Sequence, residues 1–128
     1  MARPGQNVLV VDDDASIRLL CRINLELEGW SVREASTLAD ARAQLADGEV
    51  SAVLLDAHVG TDSGVEFLQE LHGEHPGTRV AMVTGAADLP EVEGVAVDAV
   101  IAKPFTLDEL TSTVRTLVGG PRLESSPS

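Results

Sequence analysis

Apolar positions along the chain gather into five short runs: "NVLVV" (7–11), "WSVRE" (30–34), "VSAVLL" (50–55), "RVAMV" (79–83) and "AVIA" (99–102). Runs of this length read as strands. Three of them are apolar on successive positions, which suits strands covered on both faces of a parallel sheet. The intervening segments carry helix-start signals. Thr37 stands three before Asp40, Ser63 three before Glu66 and Thr106 three before Glu109, each in capping-box spacing. Gly48, Gly73 and Gly119 fall where those helices are expected to stop. The first helix is predicted from about residue 15 to Glu28, with Asp14 or Ser16 as its cap and Gly29 behind it. The fourth is weak, because "AADLPEVEGVAVD" carries Pro90 and Gly94 and leaves room for about one or two turns. Strand–helix repeated five times predicts an α/β fold, a single doubly wound (βα)5 sandwich with a weak fourth helix.

Length and composition narrow the picture further. The 128 residues suffice for one core, and 44% hydrophobic content argues for a globular chain. No apolar run approaches the eighteen or so residues of a membrane span, and "MARPGQN" is not a signal sequence, so the cytoplasm is the expected compartment. Cys21 is the single cysteine, which excludes disulfide frameworks and cysteine-based zinc sites; it reads as core. A net charge of −12 argues against nucleic acid as a partner, which would want a basic face. Of nine basic residues only Lys103 is a lysine, which singles out that position.

The chemistry-bearing residues stand at strand ends. In open parallel sheets ligands bind beyond the carboxyl ends of the strands. Strand one is followed by Asp12, Asp13 and Asp14, strand three by Asp56, strand four by Thr84, and strand five by Lys103 and Pro104. Strand two ends in Glu34-Ala35, with no role evident. Two carboxylates about 4 Å apart repel by roughly 4 kcal/mol at an effective dielectric near 20. A hard dication such as Mg2+ relieves that repulsion and lets an anion approach. Singly, each residue has a plainer reading: Asp14 as a helix cap, Asp56 as the start of a solvated loop. The conjunction of acids, hydroxyl and lysine on four strand ends is what points to a site.

These residues resemble the receiver domain of bacterial two-component response regulators, over about residues 6 to 118. "VLVVDDD" resembles the family's first strand with its acidic pair, on Asp12 and Asp13. "AVLLDAHVGTDSGVEFL" resembles the phosphoacceptor strand and loop, with the acceptor at Asp56 and the family's glycine at Gly64. "AMVTGAA" and "VIAKPF" resemble the hydroxyl-bearing fourth strand and the lysine–proline signature, on Thr84 and Lys103-Pro104. The resemblance implies a flavodoxin-like sheet of order 2-1-3-4-5, with residues 1–5 a flexible N-terminus, 6–119 the receiver and 120–128 a disordered tail. It implies that Asp56 takes a phosphoryl group from a histidine kinase or histidine phosphotransfer protein. Mg2+ would be held by Asp13, Asp56 and the backbone carbonyl of His58, with Asp12 acting through water. Thr84 and Lys103 would bind the phosphoryl group, and His58 is a candidate modulator of its hydrolysis. A cis bond before Pro104 is expected.

The sequence also departs from the family. Val100 occupies the switch position where Tyr or Phe is usual. Val59-Gly60 replaces the usual Met-Pro and suggests a more mobile loop. His72 and His75 read as helix-end histidines, Trp30 as packing, and Phe67 and Leu68 as core or a partner-facing patch. Three functions stay open. One is a phosphoacceptor receiver, not an enzyme beyond its own phosphorylation and dephosphorylation, either stand-alone or part of a longer regulator or hybrid kinase. The second is a receiver-like interaction module that works without phosphorylation. The third is a haloacid-dehalogenase-type phosphatase, suggested by Asp12-x-Asp14, although Ala15 follows where glycine or threonine is usual. The downstream partner and the oligomeric state are not legible.

Overall fold

The computed structural model describes residues 7–119. The expected flexible residues 1–5 and tail 120–128 lie outside the described residues. In chain order the elements are β1 (Asn7–Val11), α1 (Ala15–Leu27), β2 (Ser31–Ala35), α2 (Leu38–Asp47), β3 (Ala52–Asp56), β4 (His58–Val59) and β5 (Asp62–Ser63). They continue with α3 (Gly64–Glu74), β6 (Arg79–Gly85), α4 (Leu89–Val92), β7 (Ala99–Lys103) and α5 (Leu107–Gly119). Five strands form one sheet in the order β2-β1-β3-β6-β7, every adjacent pair parallel. This is the expected 2-1-3-4-5 order, with β6 and β7 as the fourth and fifth strands because a short hairpin intervenes.

Alternation along the strands sorts the core into two layers. Val8, Val10, Leu54, Ala81, Val83 and Ile101 face α1 and α5, where Cys21, Leu25, Leu110 and Val114 meet them. Leu9, Val11, Val53, Leu55, Val80 and Met82 face the opposite way, onto Leu38 and Leu45 of α2 and Phe67, Leu68 and Leu71 of α3. Phe67 and Leu68 are therefore core. Trp30 is buried just ahead of β2. On α1 the apolar positions outnumber what the sheet can cover, and Leu19, Ile23 and Leu27 stay exposed.

The caps explain the helix starts. Asp14 is the α1 cap, its carboxylate accepting from the Ser16 and Ile17 amides at 2.9 and 3.4 Å. Thr106 and Glu109 close a full capping box, with reciprocal bonds of 3.0 and 2.8 Å. Thr37 and Ser63 make only the forward half, to the Asp40 and Glu66 amides. Gly73 does not end α3. The helix runs through it to Glu74, where the His75 amide still donates to the Leu71 carbonyl, because nothing at Gly73 forces a left-handed residue. The weak fourth helix is indeed one turn, Leu89–Val92, preceded by a 3-10 turn at residues 86–88 and followed by Gly94 at φ 82°.

Where a loose loop was expected after Asp56, the chain folds into the β4–β5 hairpin. Val59 is buried within it and Gly60, at φ 64°, turns its tip. Gly64 then brings the start of α3 back against the end of β3. Its amide donates to the Ala57 carbonyl at 2.7 Å, and a Cβ at this position would run into the backbone carbonyl oxygen of Asp56. Gly64→Ala should therefore cost about 1–3 kcal/mol as an overpacking substitution, because the obstacle is backbone and cannot rotate away. Urea unfolding checks this, and an unchanged midpoint would contradict it.

Candidate functional site

Strand register decides which residues meet. Val11 pairs with Leu55, so Asp12 reaches the rim level with Asp56. Asp56 pairs with Val83, Val83 with Ile101, and Lys103 lies two residues beyond Ile101. Asp12, Asp56 and Lys103 share the parity of Val10, Leu54 and Ile101, so all three fall on the α1/α5 side of the sheet. Thr84 has the opposite parity, that of Val80 and Met82. Asp56, Thr84 and Lys103 belong to the last turns of pleat within their strands, rather than to the loops just after them.

The Lys103 ammonium sits between two carboxylates, 3.0 Å from Asp12 Oδ2 and 3.3 Å from Asp56 Oδ2. Asp12 is buried, and its other oxygen accepts the Asp14 amide at 2.9 Å. Asp56 is also buried, with the His58 amide 3.5 Å from its Oδ1. Asp13 is exposed, yet its carboxylate lies with those of Asp12 and Asp56 in one group of oxygens within 4.8 Å of one another. Burial raises the Asp56 carboxyl above its ordinary value, and the Asp12 charge adds to the rise; Lys103 pulls the other way without reversing it. Burial alone would lower Lys103, but Asp12 and then Asp56 outweigh it and hold the ammonium above the usual lysine range. Beneath the site Cys21 is pushed up to about 12 by burial, so it remains an inert thiol.

Three hard carboxylates with room for water suit Mg2+, which prefers few protein oxygens and retains part of its hydration shell. The donor set therefore fits the ion expected from the sequence.

The remaining expected residues surround this group of carboxylates or lie on the neighbouring segments. The Thr84 side chain is fully buried and its hydroxyl donates to the Gly85 carbonyl at 3.4 Å. The His58 imidazole turns from Asp56 toward the segment after β6, with Nε2 2.8 Å from Glu91 and 3.5 Å from Asp88. Val100 is exposed on β7, and the Lys103–Pro104 peptide is cis. Asp14 is engaged as the α1 cap.

Sequence reasoning missed a second tier. Arg18 on α1 donates to the backbone carbonyl of Asp12 at 2.8 Å and to Glu34 at 3.0 Å, while Arg22 reaches Glu34 at 3.1 Å. Glu34, at the end of β2, thus helps hold the turn that presents Asp12 and Asp13. The signal was there in Arg18 and Arg22, one helical turn apart and next in space to a strand ending in an acid.

The family model described as the response regulator receiver domain matches residues 8–115. The probable transcriptional regulatory protein TcrX of Mycobacterium tuberculosis is 34% identical over 119 residues, covering 87% of this chain and 49% of the relative. The transcriptional regulatory protein KdpE of the same species is 33% identical over 113 residues, covering 87% and 50%. The chain spans about half the length of the curated relatives it matches. Among solved structures, the receiver domain of NtrX from Brucella abortus superposes with a TM-score of 0.83 at 28% identity, over 88% of this chain and 98% of that one. A CheY-like receiver domain protein from Methanospirillum hungatei gives 0.82 at 26% identity, over 94% and 98%.

The raised Asp56 carboxyl has a consequence for stability. The native state holds this proton more tightly than the unfolded chain, so this group favours folding below its ordinary carboxylate value. That contribution fades as pH rises through the elevated one. At neutral pH without divalent cation, Asp56→Asn should raise Tm. Lys103→Ala should lower stability by about 1.5–3 kcal/mol, the range for hydrogen bonds to charged groups. Thermal melts in chelator check both, and a fall in Tm for Asp56→Asn would contradict the electrostatic account.

Proposed function

The chain belongs to the response regulator receiver domain family, and from that premise we propose that it accepts a phosphoryl group on Asp56 from a histidine kinase or histidine phosphotransfer protein. The observation that carries the proposal is the ammonium of Lys103 seated between Asp12 and Asp56, beside a third carboxylate. In the transfer an Asp56 carboxylate oxygen attacks phosphorus. The O–P bond forms as the N–P bond to the donor imidazole breaks, and the electron pair leaves with the imidazole. Such reactions depend on positioning and on neutralising the equatorial oxygens.

Asp13, Asp56 and the His58 carbonyl would hold Mg2+, with Asp12 acting through water, and the ion would supply positive charge to the phosphoryl oxygens. Lys103 contributes a compact ammonium to one phosphoryl oxygen, and Asp12 keeps that ammonium at the rim. Arg18 and Glu34 steady the turn that carries the aspartates. Phosphorylation adds nearly two negative charges. The Thr84 hydroxyl, held only by a 3.4 Å bond to its neighbour's carbonyl, would turn toward them and carry the end of β6 along. With Val100 in place of an aromatic residue, the usual ring rotation on the fifth strand has no counterpart. A signal from Thr84 would pass through the segment at residues 86–92 to a downstream protein. The phosphatase alternative loses support because Asp14, its required second acid, is engaged in capping α1.

Incubation with Mg2+ and a small-molecule phosphodonor, then with a phosphorylated histidine donor, tests the proposal. We expect one hydroxylamine-labile phosphoryl group per chain, absent in Asp56→Asn and at least about tenfold slower to form in Lys103→Arg, because a planar fork replaces a point charge. Label that survives Asp56→Asn, or no label from either donor, would overturn it. Steady turnover of the donor without a labelled intermediate would favour the phosphatase.

A further inference from the structure

His58, Asp88 and Glu91 form a cluster separate from the acidic rim. The imidazole comes from β4, directly after the acceptor strand, and the carboxylates come from the one-turn segment after β6. His58 Nε2 lies 2.8 Å from Glu91 Oε1 and 3.5 Å from Asp88 Oδ1, and the three side chains offer ligand atoms within 4.8 Å of one another. Asp88 closes the 3-10 turn with helical backbone at φ −100° and ψ −3°, so its carboxylate caps no amide and stands beside the imidazole. All three side chains remain partly solvent-accessible, so a cation can enter and keep water on its open position.

We propose that His58, Asp88 and Glu91 bind a divalent transition cation of the zinc class, linking the segment after Asp56 to the segment after Thr84. The donor chemistry selects the ion. Imidazole suits zinc and its first-row neighbours, whereas magnesium prefers oxygen donors alone. Three protein ligands and one open position match a four-coordinate centre. Metal–ligand bonds of about 2.0–2.2 Å in a tetrahedron place ligand atoms about 3.3–3.5 Å apart. The His58–Asp88 spacing already meets this, and the His58–Glu91 pair needs to open by about 0.5 Å, within reach of an exposed glutamate side chain. A bound cation would hold the β4 and α4 segments together, so its presence would resist movement of the chain beyond Thr84. The acceptor pocket keeps its own oxygen donors, and the two sites use different atoms of His58, backbone in one and imidazole in the other.

Zinc titrated into the full chain by calorimetry, with millimolar Mg2+ present, tests the proposal. One equivalent should bind with an affinity that stays constant as Mg2+ is raised tenfold. Glu91→Gln and Asp88→Asn should each weaken it by about tenfold or more, His58→Ala should abolish it, and a His72→Ala/His75→Ala double variant should retain it. NMR of the imidazole signals gives a second readout, in which only the His58 ring resonances should shift. No zinc uptake, an affinity that falls in step with Mg2+, binding that survives Glu91→Gln and His58→Ala, or shifts at His72 or His75 would each overturn it.

Discussion

The Lys103 ammonium is the interaction on which the rest of the site depends. Asp12 and Asp56 approach the same rim from adjacent strands, and both are buried. In a chain of net charge −12, no diffuse positive field relieves them. One cation reaching both oxygens from β7 does so, at 3.0 and 3.3 Å. The relief is incomplete, since the Asp56 carboxyl stays raised, and that residual frustration is what makes the pocket receptive to further positive charge. A site balanced for stability alone would not have this property. The arrangement stores repulsion at Asp56, as functional sites commonly do.

Backbone geometry supplies the precision. Parallel pairing sets Asp12 and Asp56 at one level, and the period of two sends them, with Lys103, to one side of the sheet. A slip of one residue in any of the three strands would turn one partner into the opposite layer. Gly64 completes the enclosure by letting α3 start against the Asp56 carbonyl, and the hairpin tucks Val59 into the core between them. Arg18 and Glu34 secure the other wall from β2 and α1.

The far side of the sheet differs in kind. Pro90 and Gly94 leave α4 a single turn, and Val100 stands exposed on β7 beside a shallow groove that includes Pro104 and Ser112. Few apolar contacts hold residues 86–92 to the body, with Val92 its one buried anchor among them. Segments of this kind open at low cost. The bridge from His58 to Glu91 and Asp88 is the polar tie across that region.

Much of this protein was legible before any coordinates. Strand-length apolar runs, Asp14, Thr106 and Glu109 as caps, Pro90 and Gly94 as breakers, and acids and a lone lysine at strand ends all act between residues near in sequence or through chain periodicity. Those patterns determine the (βα)5 class and the rim where chemistry gathers. Other features lay beyond them. Gly73 carries a stop signal that the helix overrides, Glu34 gains a role only beside Arg18, and the His58 ring turns from Asp56 to Glu91. Thr84 takes the opposite pleat from Asp12 and Asp56, its hydroxyl on its neighbour's carbonyl. Tertiary structure alone decided these, because each depends on which face a side chain takes and which distant segment lies there. Pairing across the sheet sets both, and no local stretch of sequence contains that information.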